Sequence, residues 1–180
     1  MATRTKEQKE TRQNGLKPQL MLPTQNDLPK DTRQEMVQLL NEQLADYFDL
    51  FSQTKQAHWN VKGPQFYHLH ELYDELAAGL LPHIDTVAER ATALGGAATG
   101  TVRMAAGETR LKEFSRGPVG SMESVRMLIE RYAAAAKSTR EAMEKAEEAK
   151  DQDTLDVFVE VSRDLDKYLW FLESHIQGNQ

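Results

Sequence analysis

Helical periodicity, sustained over most of the chain, sets the narrowest limit on what this sequence can become. Four stretches of about 25 residues carry apolar side chains three and four positions apart, and almost nothing alternates as a strand does. In the first, Val37, Leu40, Leu44, Tyr47, Phe48 and Phe51 keep the period. Thr32-Arg33-Gln34-Glu35 reads as a capping box that opens it, and Val61-Lys62-Gly63-Pro64 closes it. The second runs over 65–94 and stops at Gly95-Gly96, a C-terminal cap signature. A Gly- and Ala-rich connection over 95–120 follows, with a short helix expected at 101–106. The third helix starts after Gly120-Ser121 and the fourth after Asp151-Gln152-Asp153, a turn and N-cap. The expected fold is all-α, a four-helix bundle with one long crossover between its second and third helices.

Composition narrows the function classes. The 180 residues suffice for one domain of ordinary size. Cysteine is absent, which excludes disulfides, thiolate metal sites and a cysteine nucleophile. No apolar run approaches the roughly 20 residues of a membrane span, and the first residues lack the apolar core of a secretory signal, so a cytoplasmic location is expected. Neither a phosphate-cradling glycine loop nor Gly-x-Ser-x-Gly is present. The net charge is −6, but unevenly spread. Residues 1–30 hold six basic and three acidic side chains, with Pro18, Pro23 and Pro29. They read as a flexible basic arm on an acidic bundle domain, 31–177. Arg4, Lys6, Lys9, Arg12 and Lys17 are its candidate DNA contacts, by charge and counterion release without base reading.

The polar residues of the second helix do not suit a plain bundle. Leu69, Leu72, Tyr73, Leu76, Leu80, Ile84, Val87, Ala91 and Leu94 form its core stripe. At 100° per residue, His70, Asp74, Asp85 and Glu89 fall together on another face, about 100–200° from Leu69. They form two i,i+4 pairs, each close enough to share a ligand. The pairs are separated by 15 residues, about 22 Å along the axis, so one straight helix cannot close both on one ion. Ala77, Ala78 and Leu81 lie between them. A second copy of this helix packed antiparallel on that strip would bring His70 and Asp74 against the partner's acidic pair. Two-fold symmetry would then make two identical sites. His58 continues the heptad of Val37, Leu44 and Phe51 and adds a fifth candidate ligand. Two histidines and three carboxylates without sulfur suit Fe(II), Zn(II) or Mn(II) alike. No histidine follows a glutamate by three residues, so the Glu-x-x-His site common inside ferritin-like bundles is absent. Pro82 should weaken and bend the second helix, with Gly79 easing the bend. His83 lies off the candidate face, and Trp59 and Trp170 read as core packing.

Lys55-Gln56-Ala57-His58-Trp59-Asn60-Val61-Lys62-Gly63, His70-Glu71-x-x-Asp74 and Asp85-x-x-Ala88-Glu89-Arg90, with Leu94-Gly95-Gly96, closely resemble the Dps family, the miniferritins of starved bacterial cells. Ser162 to Trp170 resembles the family's last helix, and the likeness spans about residues 30–177. The resemblance implies a ferritin-like subunit, twelve of which build a hollow shell from two-fold dimers. It implies ferroxidase sites between subunits, with His58, His70 and Asp74 from one chain and Asp85 and Glu89 from its neighbour. It implies oxidation of Fe(II), preferably by hydrogen peroxide, and storage of Fe(III) mineral, sparing DNA from hydroxyl radicals in the bacterial cytoplasm or nucleoid. Carboxylates near the start of the last helix line the family's three-fold pores; Asp151, Asp153 and Asp156 are the nearest here, and each also suits N-capping. Two other readings compete: an architectural DNA-coating protein with a vestigial metal site, and a bundle holding a structural zinc ion.

Overall fold

The structure, a computed structural model, describes residues 21–178. Five helices and one short parallel bridge follow in the order α1 (Lys30–Asn60), β1 (Val61–Lys62), α2 (Phe66–Ala93), α3 (Val102–Glu108), β2 (Val119–Gly120), α4 (Ser121–Glu148) and α5 (Gln152–Gln177). The four long helices form the expected bundle, in which α1 packs chiefly on α2 and α4 on α5. The long connection carries the short α3, capped by Thr101. Among the described residues strand pairing is confined to Val61 with Val119 and Lys62 with Gly120, which ties the end of α1 to the start of α4.

The first helix begins earlier than its capping box suggests. Lys30 opens it, Pro29 is its N-cap, and no side chain caps it. Upstream turns decide this. The Leu28 amide donates to the Asn26 side chain (3.0 Å), and Arg33 reaches back to the Leu28 carbonyl (3.1 Å) and across to that of Leu94 (2.9 Å). Thr32 is thereby already inside the helix. Residues 21–29, assigned to the arm by composition, instead lie on the bundle. The Leu22 amide donates to the Gly95 carbonyl (2.7 Å), and Met21 and Leu28 pack against the core. The arm's five candidate DNA-binding cations lie outside the described residues.

The ends of α2 and α4 are built alike. Gly95 adopts φ +89°, and the amides of Gly95 and Gly96 close on Thr92 and Ala91, a Schellman cap that needs a left-handed residue there. Lys150, at φ 58°, holds the same place after α4, and Asp151 then caps α5 through the Thr154 amide (3.1 Å). Pro82 lies within α2 without interrupting it. Both Pro82 and Ala78, whose carbonyl loses its amide partner, are exposed, so water can replace the missing bond. Gly79 has a reason of its own. A Cβ there would overlap the Tyr168 hydroxyl of α5, so glycine leaves the room that this side chain occupies.

Three fully buried tyrosines fasten the core. Tyr47 donates to Thr139 (2.6 Å), Tyr73 to Ser124 (2.8 Å) and Tyr132 to Thr54 (3.1 Å). Each accepting hydroxyl spends its own hydrogen on a carbonyl of its helix, which fixes the direction of the bond. Burial pushes the Tyr73 phenol up to about 12. Trp59 and Trp170, expected in the core, are 62% and 60% exposed. Both fall on the open sides of their helices, about 200° around from the buried Ala57 and Leu172.

Buried charges hold the long connection. Asp46, 1% exposed, receives the Arg110 amide (2.8 Å) and its guanidinium (2.7 and 3.0 Å). Arg131, 2% exposed, donates to the carbonyls of Lys112 (3.1 Å) and Glu113 (2.8 Å). The connection is thus pinned by charge-assisted bonds at residues 110–113.

Candidate metal centre

The end of α1 meets the start of α2 through two histidines. His58 donates Nδ1–H to the His70 carbonyl (2.7 Å), and His70 donates Nδ1–H to the His58 carbonyl (3.0 Å). The rings stack with centroids 3.7 Å apart and planes 18° off parallel. With both Nδ1 atoms committed as donors, each neutral ring carries its lone pair on Nε2. Among the described residues neither Nε2 has a hydrogen-bond partner. The arrangement therefore presents two parallel nitrogen lone pairs with tautomers set by the main chain, a state in which imidazole can bind a metal.

Asp74 lies one turn further along α2, exposed, in an ion pair with Lys55 of α1. The Lys55 hydrogen bond holds its carboxyl below the usual aspartate range, and the Lys55 charge adds to the effect. Sequence reasoning gave Lys55 no role. Its position three residues before His58 puts it on the same face of α1, and only the α1–α2 contact reveals the pair.

Asp85 and Glu89 stand on the far half of α2, both exposed, and among the described residues neither side chain makes a hydrogen bond or ion pair. Among the described residues no three His, Asp or Glu side chains are placed to hold an ion together. A single chain thus offers a two-histidine half and a two-carboxylate half, about 22 Å apart along α2. Between them Ala78 and Leu81 are exposed, and a groove there is lined by Leu44, Phe48, Leu81, Ile84 and Ala88. Ala77, expected in this strip, is buried against the chain's own core, because 80° from Leu69 still falls within the packed stripe.

The remaining candidates separate. His83 is buried and bonds Asp164 of α5 through Nε2 (2.9 Å). Burial would raise the Asp164 carboxyl, but the His83 and Lys167 hydrogen bonds outweigh it and leave it lowered. Asp151 is 2% exposed and is held by Arg90 (2.6 Å) and Thr154, so its carboxylate serves the cap and an ion pair rather than an opening to solvent. Asp153 and Asp156 are exposed at the same end of the bundle. Arg90, at the end of α2, was not singled out from the sequence, since a lone arginine in a last helical turn is already explained by the helix dipole.

Bundle and half-sites together define a class. Residues 37–179 match the ferritin-like domain, and the chain belongs to that family. Within it the relatives are Dps proteins. The chain is 46% identical to the DNA protection during starvation protein of Agrobacterium fabrum over 86% of this chain and 95% of that one, and 33% identical to that of Brevibacillus brevis over 77% and 93%. Among solved structures, DpsC from Streptomyces coelicolor superposes with a TM-score of 0.84 at 32% identity, covering 91% and 96% of the two chains. Mycobacterium smegmatis Dps does so with 0.82 at 28% identity, covering 89% and 96%. No helix among the described residues is long and apolar enough to cross a membrane.

Proposed function

We propose that two copies of this chain, packed antiparallel through α2, complete two ferroxidase sites, each with His58, His70 and Asp74 from one chain and Asp85 and Glu89 from the other. The reciprocal bonding of His58 and His70 carries the reading, because it spends two main-chain carbonyls on orienting two otherwise unpartnered imidazole nitrogens. Fe(II) is the substrate. Two ferrous ions give one electron each to hydrogen peroxide, which takes up two protons and leaves as two waters. Paired delivery releases no hydroxyl radical, and carboxylates favour the harder ferric product. Twelve chains enclose the mineral, and Asp153 and Asp156 line the openings that admit ferrous ions. The basic arm adds salt-dependent, sequence-independent DNA binding, in keeping with relatives named for DNA protection during starvation.

Mixing two inactive variants tests the shared site. One lacks both histidines (His58→Ala with His70→Ala), the other both far carboxylates (Asp85→Ala with Glu89→Ala). Each alone should fail to speed the consumption of Fe(II) by peroxide. Unfolded together and reassembled, they should regain about a quarter of the wild-type rate, since half of random dimers are hybrid and each hybrid has one intact site of two. No recovery from well-folded mixed assemblies would reject the inter-subunit site.

A further inference from the structure

A second cleft opens between α1 and the segment 109–116, lined by residues that the metal chemistry does not use. Asp49 and Gln53 form its floor, Trp59, Leu111 and Phe114 contribute apolar walls, and the volume is about 700 Å3. Gln53 is 5% exposed, and its Nε2 donates to Asp49 Oδ2 (2.9 Å). Its Oε1 is buried with no hydrogen-bond partner, the lone such side-chain atom among the described residues. Buried acceptors left unpaired cost enough that a partner is expected. Asp49 has a matching deficit. It accepts from Gln53, from the Thr109 hydroxyl (2.9 Å) and weakly from Ser52 (3.4 Å), all neutral donors, and among the described residues it makes no ion pair. At the rim, Arg116 and Glu113 satisfy each other (2.9 Å) and leave the charge on the floor uncompensated.

We propose that this cleft binds an aliphatic ammonium ligand, a diamine or longer polyamine, whose N–H groups reach Gln53 Oε1 and Asp49 while its methylenes lie on Trp59, Leu111 and Phe114. An acceptor without a donor and a carboxylate without a cation call for one group that supplies both. An ammonium does so at ordinary hydrogen-bond length. A bare divalent ion fits worse. It needs about six oxygens drawn to 2.0–2.6 Å, whereas Asp49 Oδ2 is already taken by two donors and half the wall is apolar.

The test is calorimetric titration of the assembled full-length protein with 1,4-diaminobutane at physiological salt. One saturable site per chain is expected. Asp49→Asn, which keeps the shape, should weaken binding about tenfold or more, the loss of one charge-assisted bond. Gln53→Glu should tighten it, a gain that a merely structural glutamine would not give. Both variants should consume Fe(II) and peroxide at the wild-type rate. The proposal is overturned by the absence of saturable binding, by equal binding in all three proteins (diffuse attraction to an acidic surface), or by stoichiometric displacement of the diamine by Mg2+, which would make the cleft a hard-cation site.

Discussion

Lys55 bridges to Asp74 at the edge of the two-histidine half-site, so one proposed iron ligand begins with a counter-ion already in place. A ferrous ion arriving there must displace an ammonium. Lys55→Met removes the competitor and keeps the stem. The expected result is tighter anaerobic binding of the first metal ion, read by titration with Zn(II) or Fe(II), opposite in sign to Asp74→Asn. The pH dependence has a set direction. The Asp74 carboxyl lies below its ordinary value while paired, so the pair is intact above the usual aspartate range and is lost as pH falls through the lowered value. The gain from Lys55→Met should fade in that acid window. Equal affinities for the variant and the native protein would remove Lys55 from the site.

Arg90 and Asp151 should govern stability rather than iron chemistry. Asp151 is buried, and Arg90→Met leaves its carboxylate with only Thr154 for company. Breaking such a pair costs about 3 kcal/mol, visible as a lower urea midpoint. Asp153, 82% exposed at its side chain and only 3.4 Å from Arg90, should by contrast tolerate Asn with little change in stability. If Asp153 and Asp156 line an opening, replacing both with Asn slows mineral growth and spares the midpoint.

Gly79 offers a packing test. Gly79→Ala pushes a methyl into the Tyr168 hydroxyl and should cost about 1–3 kcal/mol. Adding Tyr168→Phe should recover part of that loss. A thermal melt showing Gly79→Ala to be as stable as the native chain would mean that α2 and α5 can shift apart.

His83→Leu should cost about 1–2 kcal/mol through the lost bond to Asp164, with the ferroxidase rate unchanged. The Asp164 carboxyl is lowered in the fold, so its share of stability is present above the usual aspartate range and disappears as pH drops through the lowered value. An acid-unfolding curve of His83→Leu should therefore converge with the native one at low pH.

Much of this could be read from the residues, and the failures have identifiable causes. Four helices, the Gly95-Gly96 stop and the Asp151 cap are written in local chemistry, so spacing and cap residues sufficed. The start of α1 was misplaced because a capping box in the sequence competes with upstream turns that only long-range bonds from Arg33 stabilise. Pro82 and Gly79 suggested a weakened helix; the glycine answers to Tyr168, 89 residues away, which periodicity within one helix cannot see. The two halves of the candidate site were legible because i,i+4 spacing is a property of one helix. The pairing of Nδ1 atoms with carbonyls, and Lys55 with Asp74, required knowing how α1 lies on α2. The anchors of the connection at 97–120, Asp46 and Arg131, were not legible because they are drawn from helices outside it in sequence.

The bond from Leu22 to Gly95 anchors the first described residues beside the start of α1. His58 stands 28 residues further along that helix, about 42 Å away. Electrostatic influence in cellular salt decays over about 8 Å. Within one chain this anchor is thus electrically remote from that chain's own imidazoles. In the proposed dimer it is close to the partner's imidazoles: Glu89 lies six residues, about 9 Å, before Gly95, so each chain's anchor stands beside the pocket that its carboxylates complete with the partner's histidines, and reversing the charge that precedes Leu22 should retune that pocket.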